Sequence, residues 1–246
     1  MSADFSGRAG VRYCARRAWA TIAGVLRSLQ RLPVSAARRC AANALVHPLA
    51  SPSVSYERWY LRRWHCLPEG YLSGRSVRMY DRFIRRLYSL GRELEVASVI
   101  AGICREVRAR TLLDLGCGSG SLAVRIAAHA PATRVSGIDL SPYAVAEARR
   151  QAGTGLGVEI VHGDARTLSW DDGAFDVIVA SHLLGHVPAE VAGRILSEAG
   201  RVLRPGGRLV LVEHRWHDIK TEDFGAIETK RVAGAISVTP FERCAT

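Results

Sequence analysis

Three carboxylates each close a short apolar run, and each is followed by residues that turn a chain. Asp114 lies in Thr111-Leu-Leu-Asp-Leu, two residues before the loop Gly116-Cys117-Gly118-Ser119-Gly120. Asp139 ends Val135-Ser-Gly-Ile-Asp ahead of Leu140-Ser-Pro, and Asp164 follows Val161-His-Gly ahead of Ala165. Glycines at alternate positions let a backbone turn tightly and approach a ligand closely, while the N–H groups that open a following helix attract an anion. Gly118-Ser-Gly120-Ser-Leu-Ala123 also fits the G-x-G-x-x-A dinucleotide pattern, so a nicotinamide or flavin oxidoreductase is one reading. The acids argue for another. Asp114 sits inside a strand end, where a carboxylate suits a cationic ligand group better than a pyrophosphate. Asp139, nineteen residues past Gly120, is placed to accept both hydroxyls of a ribose. Asp164 is placed to accept from an exocyclic adenine amine. Each acid alone also reads as a cap or turn residue, Asp139 before Ser141-Pro142 above all. Jointly they suit an adenosine ligand without phosphates.

The elements that would position these groups follow from periodicity. Leu94, Val96, Val99, Ile100, Ile103 and Val107 recur at helical spacing, and the first strand follows at 111–115. Helix and strand patterns then alternate: helix 119–129, strand 134–139, helix 142–151, strand 158–162, strand 174–181, helix 189–203 and strand 207–213. This alternation predicts an α/β doubly wound, Rossmann-like fold, a mainly parallel sheet with helices on both faces and an N-terminal helical extension. Ligands bind such sheets beyond the carboxyl ends of the strands, which is where the three acids stand. With 246 residues and 48% hydrophobic composition, one domain plus additions fits better than two domains. The expected division is a basic helical extension at 1–75, a core at 76–214, and a short segment at 215–246 that completes or caps the sheet.

The ordered set Leu112 to Gly120, Gly137 to Pro142, His162 to Arg166, Phe175 to Pro188 and Leu203 to Gly207 resembles the motif series of class I S-adenosylmethionine-dependent methyltransferases. The resemblance implies S-adenosyl-L-methionine as cofactor. Asp114 and Gly116, Cys117, Gly118, Ser119 and Gly120 would hold its methionine end, Asp139 the ribose, Leu140 the adenine face, and Asp164 with Ala165 the adenine edge. Ser181 and His182 would line the floor near the sulfonium. Leu203-Arg-Pro-Gly-Gly would be a structural turn into the fifth strand. Methyl transfer from a sulfonium needs a base only where the acceptor must lose a proton, and the candidates by position are His182, His186, Glu213, His214 and Tyr80. Ser181-His-Leu-Leu-Gly-His lacks the Asn/Asp-Pro-Pro-aromatic pattern of amino-directed nucleic-acid enzymes. That segment, Met79-Tyr-Asp-Arg-Phe, Gly91-Arg92 and Gly207-Arg-Leu-Val-Leu-Val-Glu-His214 are instead similar to bacterial phospholipid N-methyltransferases and their quinone- and thiol-methylating relatives. In that group the tyrosine corresponding to Tyr80 sits beside the cofactor. A small-molecule or lipid-like methyl acceptor is therefore expected. The rival readings are an RNA methyltransferase, a cofactor-binding protein that no longer transfers methyl, and the oxidoreductase.

Charge is distributed unevenly. Net charge is +11, and residues 1–75 hold twelve Arg against Asp4, Glu57 and Glu69. Trp19, Ile22, Val25, Leu26, Leu29 and Leu32 share one helical arc, with Arg12, Arg16, Arg17, Arg27 and Arg31 opposite, so residues 12–32 read as a cationic amphipathic helix stopped by Pro33. Such a helix can lie on anionic lipid, pack on the rest of the chain, or belong to an organelle-targeting peptide. Residues 56–71 interleave Tyr56, Trp59, Tyr60 and Trp64 with Arg63, a surface able to stack nucleobases, meet a membrane interface, or pack on the core. The longest apolar run near the N-terminus, residues 18–26, is shorter than the about 20 residues a spanning helix needs. Six scattered cysteines with no CxxC pair argue against a disulfide framework or zinc site and make reducing cytoplasm the default, with peripheral membrane contact as an addition. Only 32 residues follow His214, which scarcely leaves room for the helix and hairpin that relatives carry there. The expectation is a sheet short by a strand, its edge covered by another chain or the extension, or a truncated reading frame.

Overall fold

A computed structural model describes residues 47–61, 64, 67, 69–88, 91–213, 224–226, 230–232 and 236–243. The amphipathic segment 12–32, Arg63 and His214 lie outside the described residues.

The helical run that opens the core is α1 (Gly74–Met79), a π-helical turn at Tyr80–Ile84, and α2 (Arg85–Tyr88). Ser73 caps α1 by accepting from the Ser76 N–H. Then come α3 (Glu93–Glu106), β1 (Thr111–Leu115), α4 (Ser121–His129), β2 (Arg134–Asp139), α5 (Pro142–Ala152), β3 (Val158–His162), β4 (Phe175–Ser181), α6 (Ala189–Val202) and β5 (Leu203–Glu213). Helix α5 starts as its sequence dictates: Ser141 accepts from the Ala144 N–H and Pro142 occupies the first turn, where a missing donor costs nothing.

The five strands β1 to β5 are parallel, and the sheet runs β3-β2-β1-β4-β5 before an antiparallel edge. Both faces are buried, so alternate residues of one strand serve two cores. On one side Leu112, Val135, Val177 and Val210 pack with Val96, Ile100 and Ile126 of α3 and α4. On the other, Leu113, Leu115, Ile178 and Leu209 pack with Ile195, Leu196 and Val202 of α6. Leu94, grouped by spacing with the buried face of α3, is instead exposed. The doubly wound, mainly parallel expectation is what the structure shows.

The expectation of a sheet short by a strand is overturned. Beyond β5 come β6 (Phe224–Ala226), β7 (Lys230–Val232) and β8 (Ile236–Arg243). Strand β8 pairs antiparallel with β5 along Arg208 to Glu213, and β6 and β7 pair with the two ends of β8. Two of these strands have only three residues each, so the hairpin takes less chain than the count allowed. Leu203-Arg-Pro-Gly-Gly is also part of β5 rather than a turn before it: Leu203 pairs with Phe175, and the register shifts before Arg208 meets Val177.

The strand order reverses between β1 and β4, which opens a crevice above their carboxyl ends. Residues 47–61 and the helical run 74–88 border it.

Candidate active site

Two adjoining chambers occupy that crevice, with Gly116, Gly118, Ser119, Tyr80, Ser181 and His182 shared between them. The larger, about 1000 Å³ including its open mouth, is lined by Asp139, Leu140, Asp164 and Ala165 together with Trp59, Trp64, Tyr71, Leu183, His186 and Ile195. The smaller holds Asp114, Arg85, Glu93 and Ser121. The three acids therefore meet one crevice in two compartments, Asp139 and Asp164 in one and Asp114 in the other.

Asp114 is 1% exposed, and its Oδ2 atom has no hydrogen-bond partner. Burial first, and the charge of Asp139 second, push its carboxyl up to about 8. A neutral acid held without a partner at neutral pH gains most from a cationic donor brought to it. Asp139 is differently placed. Its Oδ2 accepts from the Gly118 N–H at 2.8 Å and its Oδ1 from the Ser141 N–H at 2.8 Å, while burial raises its pKa against both bonds. It thus fixes the glycine loop and the start of α5, and each oxygen keeps a second lone pair for a ligand hydroxyl. Asp164 lines the crevice, but both its oxygens face the guanidinium of Arg166, with Nη2 to Oδ2 at 2.6 Å. Arg166 also reaches Glu57, which accepts from Trp59 Nε1 at 2.8 Å. Arg166 is the group that spacing alone passed over, and its only signal is position, two residues past the acid.

Not every glycine of the loop serves a ligand. Gly118 has φ +57° and nothing within 4 Å of the place a Cβ would take, so its backbone lies open to the crevice. Gly120 lines neither chamber: a Cβ there would meet Ala148 Cβ at 2.9 Å, so its smallness lets α4 pack against α5. Cys117 borders the smaller chamber, yet its Sγ packs over Gly137 in a buried cluster with Val145 and Ile160, and burial pushes the thiol up. Gly118→Ala is expected to cost only about 1–2 kcal/mol of stability, the penalty of a left-handed backbone, while weakening adenosylhomocysteine binding by a larger factor because the new methyl enters the ligand's space. Paired thermal melts and calorimetric titrations check this.

Ser119 is held by its hydroxyl donating to Asp81 Oδ1 at 2.6 Å, and Asp81 also receives Gln151 and Arg85. The π-helical turn that carries Tyr80 and Asp81 is thereby fastened to the glycine loop. π-turns are concentrated at functional positions.

The proton-handling candidates gather at the ends of β4 and β5. His182, the first residue past β4, has φ +52°, a conformation seldom adopted without glycine, and its N–H donates to the Val212 carbonyl at 2.9 Å. Its Nδ1 lies 3.8 Å from Glu213 Oε2, and Glu213 Oε1 is buried without a hydrogen-bond partner. His186 stands beside Trp64, ring centroids 5.6 Å apart, and burial lowers its pKa so that it is neutral at pH 7. Tyr80 packs edge-on against Tyr71 at the junction of the chambers.

The spacing of Tyr56, Tyr60 and Trp64 would put them on one face of a helix, but Tyr56 lies outside any helix or strand and Tyr60 lies in a turn. Their rings pack inward, Tyr56 stacked on Tyr60 and Trp64 on Tyr71, so this segment forms the aromatic wall of the larger chamber. His162 at the end of β3 anchors it. Its Nδ1 accepts from the Ser51 N–H at 2.8 Å, which leaves Nε2 as donor to the Leu140 carbonyl at 3.0 Å, with Tyr56 Oη at 3.3 Å. Burial lowers the His162 pKa, so the unfolded chain takes up a proton first as pH falls. Stability is fully present above about pH 6.5 and declines below it. His162→Asn, which keeps an acceptor for Ser51, is expected to flatten this loss when melting temperatures are compared above and below that pH.

Residues 112–207 match the family model described as a methyltransferase domain. Over this stretch the chain is similar to methyltransferase domains. It is 38% identical over 136 residues to the demethylmenaquinone methyltransferase of Thermus thermophilus, an alignment covering 54% of this chain and 60% of that one. The Deinococcus radiodurans enzyme of the same name is 33% identical over 135 residues, covering 54% and 55%. An uncharacterized protein of a Streptomyces fradiae transposon is 44% identical over 122 residues, 48% of this chain and 34% of its own length. The chain thus matches less than two thirds of the length of each of these relatives. Among solved structures, human N-acetylserotonin methyltransferase in complex with S-adenosylmethionine superposes with a TM-score of 0.58 at 13% identity, covering 71% of this chain and 58% of that one. A Pyrococcus horikoshii protein superposes at 0.52 and 18% identity, covering 61% and 90%. At such identities these two likenesses speak to the fold alone.

The residues of this crevice fit S-adenosylmethionine: an unpartnered buried acid for a cationic ammonium, an open glycine backbone beside it, and Asp139 with spare acceptor capacity across the loop.

Proposed function

We propose that the chain transfers the methyl group of S-adenosylmethionine to a small-molecule acceptor of the quinone or lipid-like kind. The observation that carries this is the make-up of the crevice: its larger chamber joins Asp139 and Asp164 to aromatic and aliphatic side chains, and Asp114 lines the smaller chamber that shares the glycine loop. The naming of two relatives as demethylmenaquinone methyltransferases supports the acceptor class. S-adenosylmethionine supplies an electrophilic methyl on a good leaving group, so the protein's work is alignment and water exclusion. Asp114 would take the methionine ammonium, Asp139 the ribose hydroxyls, and Leu140 with Ala165 the adenine. Trp64, Tyr71, Leu183 and Ile195 would seat the acceptor and keep water from it. His182, held against Glu213 at the floor, would take a proton from a hydroxyl-bearing acceptor, with His186 and Tyr80 positioning it. The placement is cytoplasmic, at a membrane face where such acceptors reside.

The test is incubation of the purified chain with methyl-labelled donor and either a demethylated naphthoquinol or a phosphatidylethanolamine dispersion. Label in the organic phase with one of the two acceptors supports the reading. Absence of label with both, in protein that binds adenosylhomocysteine, would leave a cofactor-binding protein without transfer activity.

A further inference from the structure

The helical run 74–88 turns two different faces to its surroundings. Ser76 and Val77 are buried, Tyr80 lines the crevice, and Asp81 and Arg85 are bonded to Ser119 and Glu93. On the outer side stand Met79 and Phe83, one turn apart and 38% and 63% exposed; they are two of the four large apolar side chains exposed among the described residues. Arg75 precedes Met79 by four positions, and Arg78, Arg82 and Arg86 follow one another at the same interval; all four are exposed. None forms an ion pair with an acid among the described residues, whereas Arg85, turned inward, binds both Asp81 and Glu93. Four uncompensated guanidinium groups around an exposed phenylalanine and methionine match one environment in particular: anionic headgroups over acyl chains. The alternative polyanion, nucleic acid, would satisfy the arginines but leave Met79 and Phe83 in water.

We propose that the outer face of this helical run, Met79 and Phe83 framed by Arg75, Arg78, Arg82 and Arg86, is an interfacial docking surface for an anionic lipid bilayer. The surface lies in a different part of the sequence from residues 12–32 and is independent of the methyl-transfer reading.

The experiment is flotation of the full chain with vesicles of phosphatidylcholine alone or mixed with phosphatidylglycerol. Wild type, Met79→Ser with Phe83→Ser, and Arg78→Glu with Arg82→Glu are compared. Neither pair touches the chambers, and melting temperature reports folding. Wild type is expected to float with the anionic vesicles only, and each double variant to bind about tenfold or more weakly at an unchanged melting temperature. Should the apolar pair lose its fold, the charge-reversal pair, altered only at exposed side chains, carries the comparison. Equal flotation of the folded variants and wild type would overturn the proposal and move any contact elsewhere in the chain. So would binding to RNA or heparin with none to anionic vesicles.

Discussion

Asp114→Asn is expected to raise the melting temperature of the unliganded protein and to remove its cofactor binding. The folded pKa of Asp114, about 8, lies above the ordinary 3.8. The acid therefore contributes full stability only below about pH 4, and this is lost progressively as pH rises toward 8, because the unfolded chain ionises and the folded one does not. At pH 7 the accumulated penalty is about 4 kcal/mol. Asparagine escapes it but buries an amide whose second polar atom inherits the unpartnered Oδ2 position, which costs about 1–3 kcal/mol. A net gain of about 1–3 kcal/mol remains, or roughly 3–10 °C for a chain of this size. The gain should shrink toward zero, or reverse, near pH 4. With the anionic partner of the ammonium gone, adenosylhomocysteine affinity should fall by about tenfold or more. Scanning calorimetry across pH, with titrations at neutral pH, reads both effects. A destabilised variant that binds as well as wild type would show that Asp114 is a structural residue.

The second large effect is expected at the floor of the crevice. His182→Ala and Glu213→Gln should each lower kcat by about 10²–10⁴ for an acceptor that must lose a proton, with adenosylhomocysteine affinity unchanged. The two substitutions together should cost little more than one, because Glu213 acts through the imidazole it faces at 3.8 Å. Loss of cofactor affinity in either single variant would mean that this pair supports the pocket and not the proton transfer. An unchanged kcat would leave the transfer dependent on alignment alone.

Where the chain's own periodicity decided an element, its bounds were legible almost to the residue. Strands 134–139 and 158–162 and helix 142–152 end at Asp139, His162 and Gly153 because apolar runs stop there at an acid, a polar residue or a glycine. The three acids and the glycine loop were legible for the same reason, since strand ends in a parallel sheet are the points where ligands meet backbone. The features that escaped depend on distant partners. Arg166 joins Asp164 to Glu57 across more than a hundred residues, and Asp81 reaches Ser119 from another element. The π-turn at Tyr80–Ile84 adds no distinctive composition to a helical pattern. Strand β8 contains Pro240, which reads against a strand; it pairs with Val210 of β5, and among the described residues β6 and β7 pair only with positions 241–243 and 236–238 on its other side. Gly120 was legible as a glycine of the loop but not as a packing residue, because only the fold brings Ala148 against it.

The central claim is that the carboxylates on either side of the glycine loop hold a phosphate-free adenosine cofactor. Calorimetric titration of adenosylhomocysteine into wild type, Asp139→Ala and Asp139→Asn tests it most directly. Wild type should bind, and the alanine variant should lose about 1–3 kcal/mol as two ribose hydroxyls go unpaired. The asparagine variant, which keeps one acceptor oxygen, should fall between them. Equal affinities in all three, or binding of a nicotinamide dinucleotide with none of adenosylhomocysteine, would contradict the assignment.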